Sequence, residues 1–119
     1  MSAVVATAKE FTACLRELGV PATGLLMVHS SLKSFGRFEG GAEAVVESLL
    51  ALVAQGTLVM PTYSRFLAKP EEFDPARTPS DCGAISECFR KRLDVIRQPN
   101  NPKHSMAVWG RDQKAMSPN

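Results

Sequence analysis

Apolar positions recur with a helical period over Val5 to Leu18, where Phe11, Leu15 and Leu18 fall at i, i+4 and i+7. Lys9, Glu10, Arg16 and Glu17 take the other faces, Gly19 supplies a C-terminal stop, and Pro21 follows it. Leu25-Leu26-Met27-Val28 is an unbroken apolar run, too short for a helix, and its pattern predicts a strand buried on both faces. Helical periodicity returns over Ala42 to Ala54, with Val45, Leu49, Leu52 and Val53 as the stripe and Gly56 beyond its end. Thr57-Leu58-Val59-Met60 is a second buried-strand pattern, closed by Pro61. Helix, strand, helix, strand with short links predicts an α/β fold whose core is a parallel sheet with crossover helices.

The pattern then breaks. Thr62 to Asp81 carries Pro70, Pro75 and Pro79, several charges and no period. An irregular segment of that length in a compact domain is more often functional or mobile than structural. Gly83 to Arg92 predicts a third helix with Asp81 as its cap and Arg90, Lys91 and Arg92 at the negative end of its dipole. Ser105 to Trp109 predicts a third strand, and a further helix is expected to begin near Lys114. Repeats and low-complexity tracts are absent.

At 119 residues the length suits one domain with a workable core, residues 1–119. Apolar residues make up 45%, which argues against wholesale disorder. Fourteen basic against 12 acidic residues give a net charge of +2, too little for the basic face of a nucleic-acid module. Apolar runs fall well short of a membrane span, and the N-terminus lacks the basic start of a signal peptide. Cys14, Cys82 and Cys88 form no CxxC pair, so reduced thiols in a cytoplasmic protein are expected. His29, His104, Cys82 and Cys88 have no ligand spacing, so no metal site is expected.

Three segments hold candidate chemistry. Val28-His29-Ser30-Ser31-Leu32-Lys33-Ser34-Phe35-Gly36 follows a strand and leads through Gly40 and Gly41 into a helix. In open α/β sheets ligands bind at such strand ends, and hydroxyls, free N–H groups and a helix N-terminus suit an anion. Lys33 and Arg37 add cations, although no GxxxxGK[ST] loop is present. A loop whose glycines serve only tight turns fits the same residues equally well. Met60-Pro61-Thr62-Tyr63-Ser64 ends the next strand, where Thr62 and Tyr63 offer hydrogen bonds to an amide-rich ligand or merely end a strand at proline. The third is Asn101-Pro102-Lys103-His104-Ser105, where a lone histidine before a strand is more often structural or surface-exposed than functional.

Taken in order, LGVPATGLLMVHSSLKSFG, EGGAEAVVESLLALVAQGTLVMPTYS, GAISECFRKR and NPKHSMAVWG resemble the aminoglycoside 3-N-acetyltransferase family from Leu18 to Gly110. The resemblance implies an acetyl-CoA-dependent transferase that acetylates an amino group of an aminoglycoside and so confers resistance. It implies that the VHSS loop and the MPT strand end contact coenzyme A, through Ser30, Ser31, Lys33 and Thr62, with His29, Gly36 and Tyr63 as lining. His104 is the candidate base nearest a matching motif. Family members are markedly longer, so the chain is expected to be the N-terminal part of a larger α/β fold. Two alternatives to the active enzyme follow: a truncated coenzyme A-binding module, or an inactive remnant without the catalytic C-terminal half. The edge of such a truncated sheet would invite association with a second copy.

Overall fold

The computed structural model describes residues 5–29, 37–99 and 101–116. Strand β1 (Val5–Ala6) is followed by helix α1 (Ala8–Glu17). The helix starts later than its periodicity suggests, because Val5 and Ala6 pair in parallel with Arg37 and Phe38 of strand β3 (Arg37–Phe38). Thr7 caps α1. Its hydroxyl oxygen accepts from the Glu10 N–H at 3.2 Å, and the hydroxyl donates to the Glu10 carboxylate at 3.1 Å. Phe11 and Leu15 pack on the core, whereas Leu18, expected on the same stripe, is 75% exposed.

Strand β2 (Leu25–Met27), helix α2 (Gly41–Leu52) and strand β4 (Thr57–Pro61) form the expected parallel pair with its crossover helix. Strand β5 (Ile96–Arg97) and strand β6 (Met106–Gly110) complete a four-stranded sheet of order β2-β4-β6-β5. Strand β6 runs antiparallel to both β4 and β5, so the sheet is mixed. The short turn between β5 and β6 allows only this direction, since a parallel return needs a crossover.

Val45, Val46, Leu49 and Val53 of the α2 region pack against Leu58, Met60, Ala107, Ile85 and Phe89, and all nine are at most 1% exposed. Phe11 meets Phe38 edge-on, with ring centroids 5.6 Å apart. Strand β4 is buried along its whole length, as its pattern predicts. Strand β2 is not: Leu25 and Met27 are 55% and 56% exposed. Among the described residues β2 is one of the two edge strands of the sheet, and Leu26 is its residue that packs on the core. Gly56 sets how closely β2 and β4 approach, because a Cβ there would sit 2.1 Å from the Gly24 carbonyl oxygen.

Helix α3 (Ala84–Arg90) is shorter than Gly83 to Arg92, and Asp81 does not cap it. Gly83 takes the cap position with φ +97°, and the Asp81 carboxylate instead accepts from the Arg65 backbone N–H at 2.8 Å and its guanidinium at 2.6 Å. Helix α4 (Gln113–Met116) begins where expected and is tied to the sheet through Gln113 Nε2, which donates to the Val108 carbonyl at 3.2 Å.

Candidate functional site

Strand directions gather the candidate segments along one rim of the sheet. Strand β2 ends toward Val28 and His29, and β4, running parallel to it, ends toward Thr62 and Tyr63. Because β6 is antiparallel to β4, with Pro61 opposite Met106, its start brings Ser105 and the turn bearing His104 to that rim. Strand β5 ends there too, at Arg97. The Val28 N–H donates to the Val59 carbonyl at 2.9 Å, which carries the ladder to the residue before His29.

His29 and His104 are exposed, and the His104 N–H donates to the Asn101 carbonyl at 3.0 Å in its turn. Tyr63 is half-buried, with the Arg65 guanidinium 5.5 Å from its ring centroid. Ser30, Ser31, Lys33 and Gly36 lie outside the described residues. Thr62 is fully buried, and its hydroxyl is engaged within the protein, donating to the Ser105 carbonyl at 3.2 Å and accepting from Arg97 Nε at 3.3 Å. Its role at the rim is to join strands.

Arg97 organises this rim. Its side chain is almost wholly buried, yet its bonding partners are hydroxyls and carbonyls rather than carboxylates. Nη2 donates to the Thr62 carbonyl at 2.7 Å and to Ser64 Oγ at 2.9 Å. Nη1 donates to the carbonyls of Pro75, at 3.2 Å, and Thr78. The guanidinium also stacks 4.8 Å from the Phe73 ring centroid. Burial, and then the nearby charge of Arg90, pull its pKa down to about 10, so it remains a cation at neutral pH.

These bonds pin the irregular segment 62–81 to the sheet. Pro70–Glu72 forms a 3-10 turn within it, the Thr78 hydroxyl accepts from the Asp74 N–H at 2.8 Å, and the Ser64 hydroxyl donates to the Pro79 carbonyl at 2.6 Å. Glu87 secures the segment's far end by accepting from the Ser80 N–H and from Arg90 at 2.8 Å. Burial works to raise the Glu87 pKa, but the Arg90 and Ser80 hydrogen bonds outweigh it and bring it to about 2. Sequence reading missed Arg97 and Ser64 as organisers. The available signal was a single arginine directly after the apolar pair Val95-Ile96.

Burial pushes the Cys82 and Cys88 thiols up, which keeps them protonated at neutral pH, and all three cysteines are free. Among the described residues no group of three or more His, Cys, Asp or Glu side chains could hold a metal ion. Among the same residues no helix is long and apolar enough to cross a membrane.

A family model described as aminoglycoside 3-N-acetyltransferase matches residues 27–119. The chain is 32% identical to the SPbeta prophage-derived aminoglycoside N(3')-acetyltransferase-like protein YokD of Bacillus subtilis (strain 168), over 88% of this chain and 47% of that protein. It superimposes on the crystal structure of aminoglycoside acetyltransferase AAC(3)-IVa, apoenzyme, with TM-score 0.87 and 32% identity, covering 98% of this chain and 46% of that one. AAC-IIIb in a binary complex with CoASH shares the fold at 23% identity and TM-score 0.79, covering 98% of this chain and 50% of that one. The chain thus spans about half the length of the relatives it matches.

Proposed function

Because the chain belongs to the aminoglycoside 3-N-acetyltransferase family, we propose that it is the cofactor-side portion of an acetyl-CoA-dependent transferase acetylating an aminoglycoside amino group at the 3-position. In this reading the loop after β2 receives coenzyme A through Ser30, Ser31 and Lys33, with His29, Gly36 and Tyr63 lining it. Thr62 acts indirectly, by holding the ends of β4 and β6 in register. The observation that carries the reading is the gathering of the β2, β4 and β6 ends on one rim, within the residues the family model matches. Such a rim is where α/β sheets bind ligands.

Acetyl transfer to an amine needs three things. The ammonium must lose a proton to a base, directly or through water, before its nitrogen attacks the thioester carbonyl. The oxyanion that develops needs N–H or hydroxyl donors. Both substrates must be held together, which favours direct transfer in a ternary complex. His104 stands on the rim as the candidate base within this chain. A polycationic aminoglycoside also calls for a carboxylate-lined pocket. A second reading is a module that binds coenzyme A without turnover. Acetyl-CoA as co-substrate and three free thiols suit a reducing, cytoplasmic setting. Among the described residues β2 is an edge strand, and such an edge suits association with a second copy.

The experiment mixes the chain with acetyl-CoA and kanamycin or gentamicin and follows thiol release, with calorimetry of coenzyme A binding alongside. Turnover establishes the transferase. Binding without turnover establishes the module, and no binding contradicts both readings.

A further inference from the structure

Arg97 and Arg90 are two buried guanidinium groups, 7% and 8% exposed, close enough for the charge of Arg90 to help depress the pKa of Arg97. Arg90 has a carboxylate partner, Glu87 at 2.8 Å. Among the described residues Arg97 forms no ion pair. The nearest counter-charge acting on Arg97 is that of Glu87, which is already paired with Arg90, so one carboxylate serves two buried cations and a further anion is favoured.

Both side chains line a cleft of about 410 Å³, together with Lys91, Arg92, Leu93 and Val95, and no carboxylate is among its lining residues. That volume falls within the range of about 300–1,000 Å³ typical of small-molecule sites. Lys91 is 66% exposed, with its nearest carboxylate, Glu87, only at 4.0 Å. Arg92 pairs with Asp94 at 3.0 Å and Glu47 at 3.5 Å, and those bonds leave N–H groups on its fork unused. All five N–H groups of Arg97 are already bonded, so it contributes charge to the cleft rather than a contact.

We infer that this cleft binds a phosphate-bearing anion, contacted by the solvent-facing Lys91 and Arg92 and held in the field of the buried Arg90 and Arg97. An arginine fork beside a lysine ammonium matches phosphate oxygens in both geometry and charge. The cleft adjoins the rim, because Arg97 lines it and bonds Thr62 at the end of β4. Coenzyme A carries a diphosphate and a further phosphate, so its nucleotide end fits here while its thiol end lies along the rim. The inference rests on the acetyl-CoA reading only for the identity of the molecule that brings the phosphate.

The test is calorimetric titration of the full chain and its K91A/R92A variant with inorganic pyrophosphate, coenzyme A and phosphate-free pantetheine. Both substitutions remove exposed or part-exposed side chains with solvent-screened pairs, so the fold is retained, as a thermal melt verifies. The expected result is that the variant weakens pyrophosphate and coenzyme A about tenfold or more, while any pantetheine affinity is unchanged. Added salt weakens pyrophosphate binding to the wild-type chain. If pyrophosphate binds the wild-type chain and is lost in the variant while coenzyme A binds neither, the cleft stands and the acetyl-CoA reading falls. If coenzyme A binds both chains equally and pyrophosphate binds neither, the cleft is overturned and the acetyl-CoA reading survives. Absence of binding by either phosphate compound to the wild-type chain overturns both.

Discussion

Replacing Arg97 with methionine tests whether one buried cation holds the rim together. The substitution removes five hydrogen bonds, two to hydroxyls and three to carbonyls, that reach across 19 to 35 residues of sequence. A bond from a charged donor contributes about 1.5 kcal/mol net, so the five together stabilise by about 7 kcal/mol. Burial opposes this. A pKa pulled from the ordinary arginine value down to about 10 corresponds to about 3 kcal/mol against the charged form, which methionine escapes. The difference predicts a destabilisation of about 4 kcal/mol, among the largest single-residue effects and a sizeable part of the stability of a domain. For a chain of this size that is a fall in Tm of roughly 15 °C, read by circular dichroism. Arg97→Lys keeps the charge but loses the planar fork, and its expected loss lies between wild type and methionine. Limited proteolysis should then cut first between Arg65 and Ser80, the segment that Arg97 pins. A fall of less than about 4 °C for Arg97→Met, with that segment still protected, would refute the reasoning.

Other expectations follow from the same contacts. The pKa of Glu87 is depressed on folding, so its stabilisation is present above about pH 4.5 and is lost as pH falls toward 2. With allowance for solvent screening this amounts to about 1–2 kcal/mol, and Glu87→Gln should flatten that acid limb in urea titrations at pH 2 to 5. Gly56→Ala should cost about 3 kcal/mol in urea unfolding, because its methyl group would overlap the Gly24 carbonyl of the neighbouring segment. Leu25→Ser and Met27→Ser should each change stability by less than about 0.5 kcal/mol, since both side chains already face solvent.

Periodicity carried most of the architecture. The stripe of Val45, Leu49, Leu52 and Val53 marked α2, and the apolar run of Thr57 to Met60 marked a fully buried strand. It carried less where a few residues decide the outcome. Strands β1, β3 and β5 have two residues each, too few for any period to show. The exposed Leu25 and Met27 read as buried because apolarity reports a preference for burial and not what lies opposite. Asp81 had the position of a helix cap, but a guanidinium sixteen residues earlier competes for its carboxylate. At the rim, Thr62 and Tyr63 were legible as polar residues at a strand end. That Thr62 spends its hydroxyl on Arg97 and Ser105 was not, because those partners lie 35 and 43 residues away. The irregular segment 62–81 read as functional or mobile, and its many non-local bonds, invisible to local pattern, anchor it to the sheet.

The central claim is that the strand-end rim of this chain receives coenzyme A. Calorimetric titration of the purified chain with coenzyme A, set beside its Ser31→Ala and Lys33→Ala variants, tests it most directly. The account predicts saturable one-to-one binding that at least one of the two substitutions weakens by about tenfold, a loss of about 1.4 kcal/mol. Absence of binding, or an affinity unchanged in both variants, would contradict it.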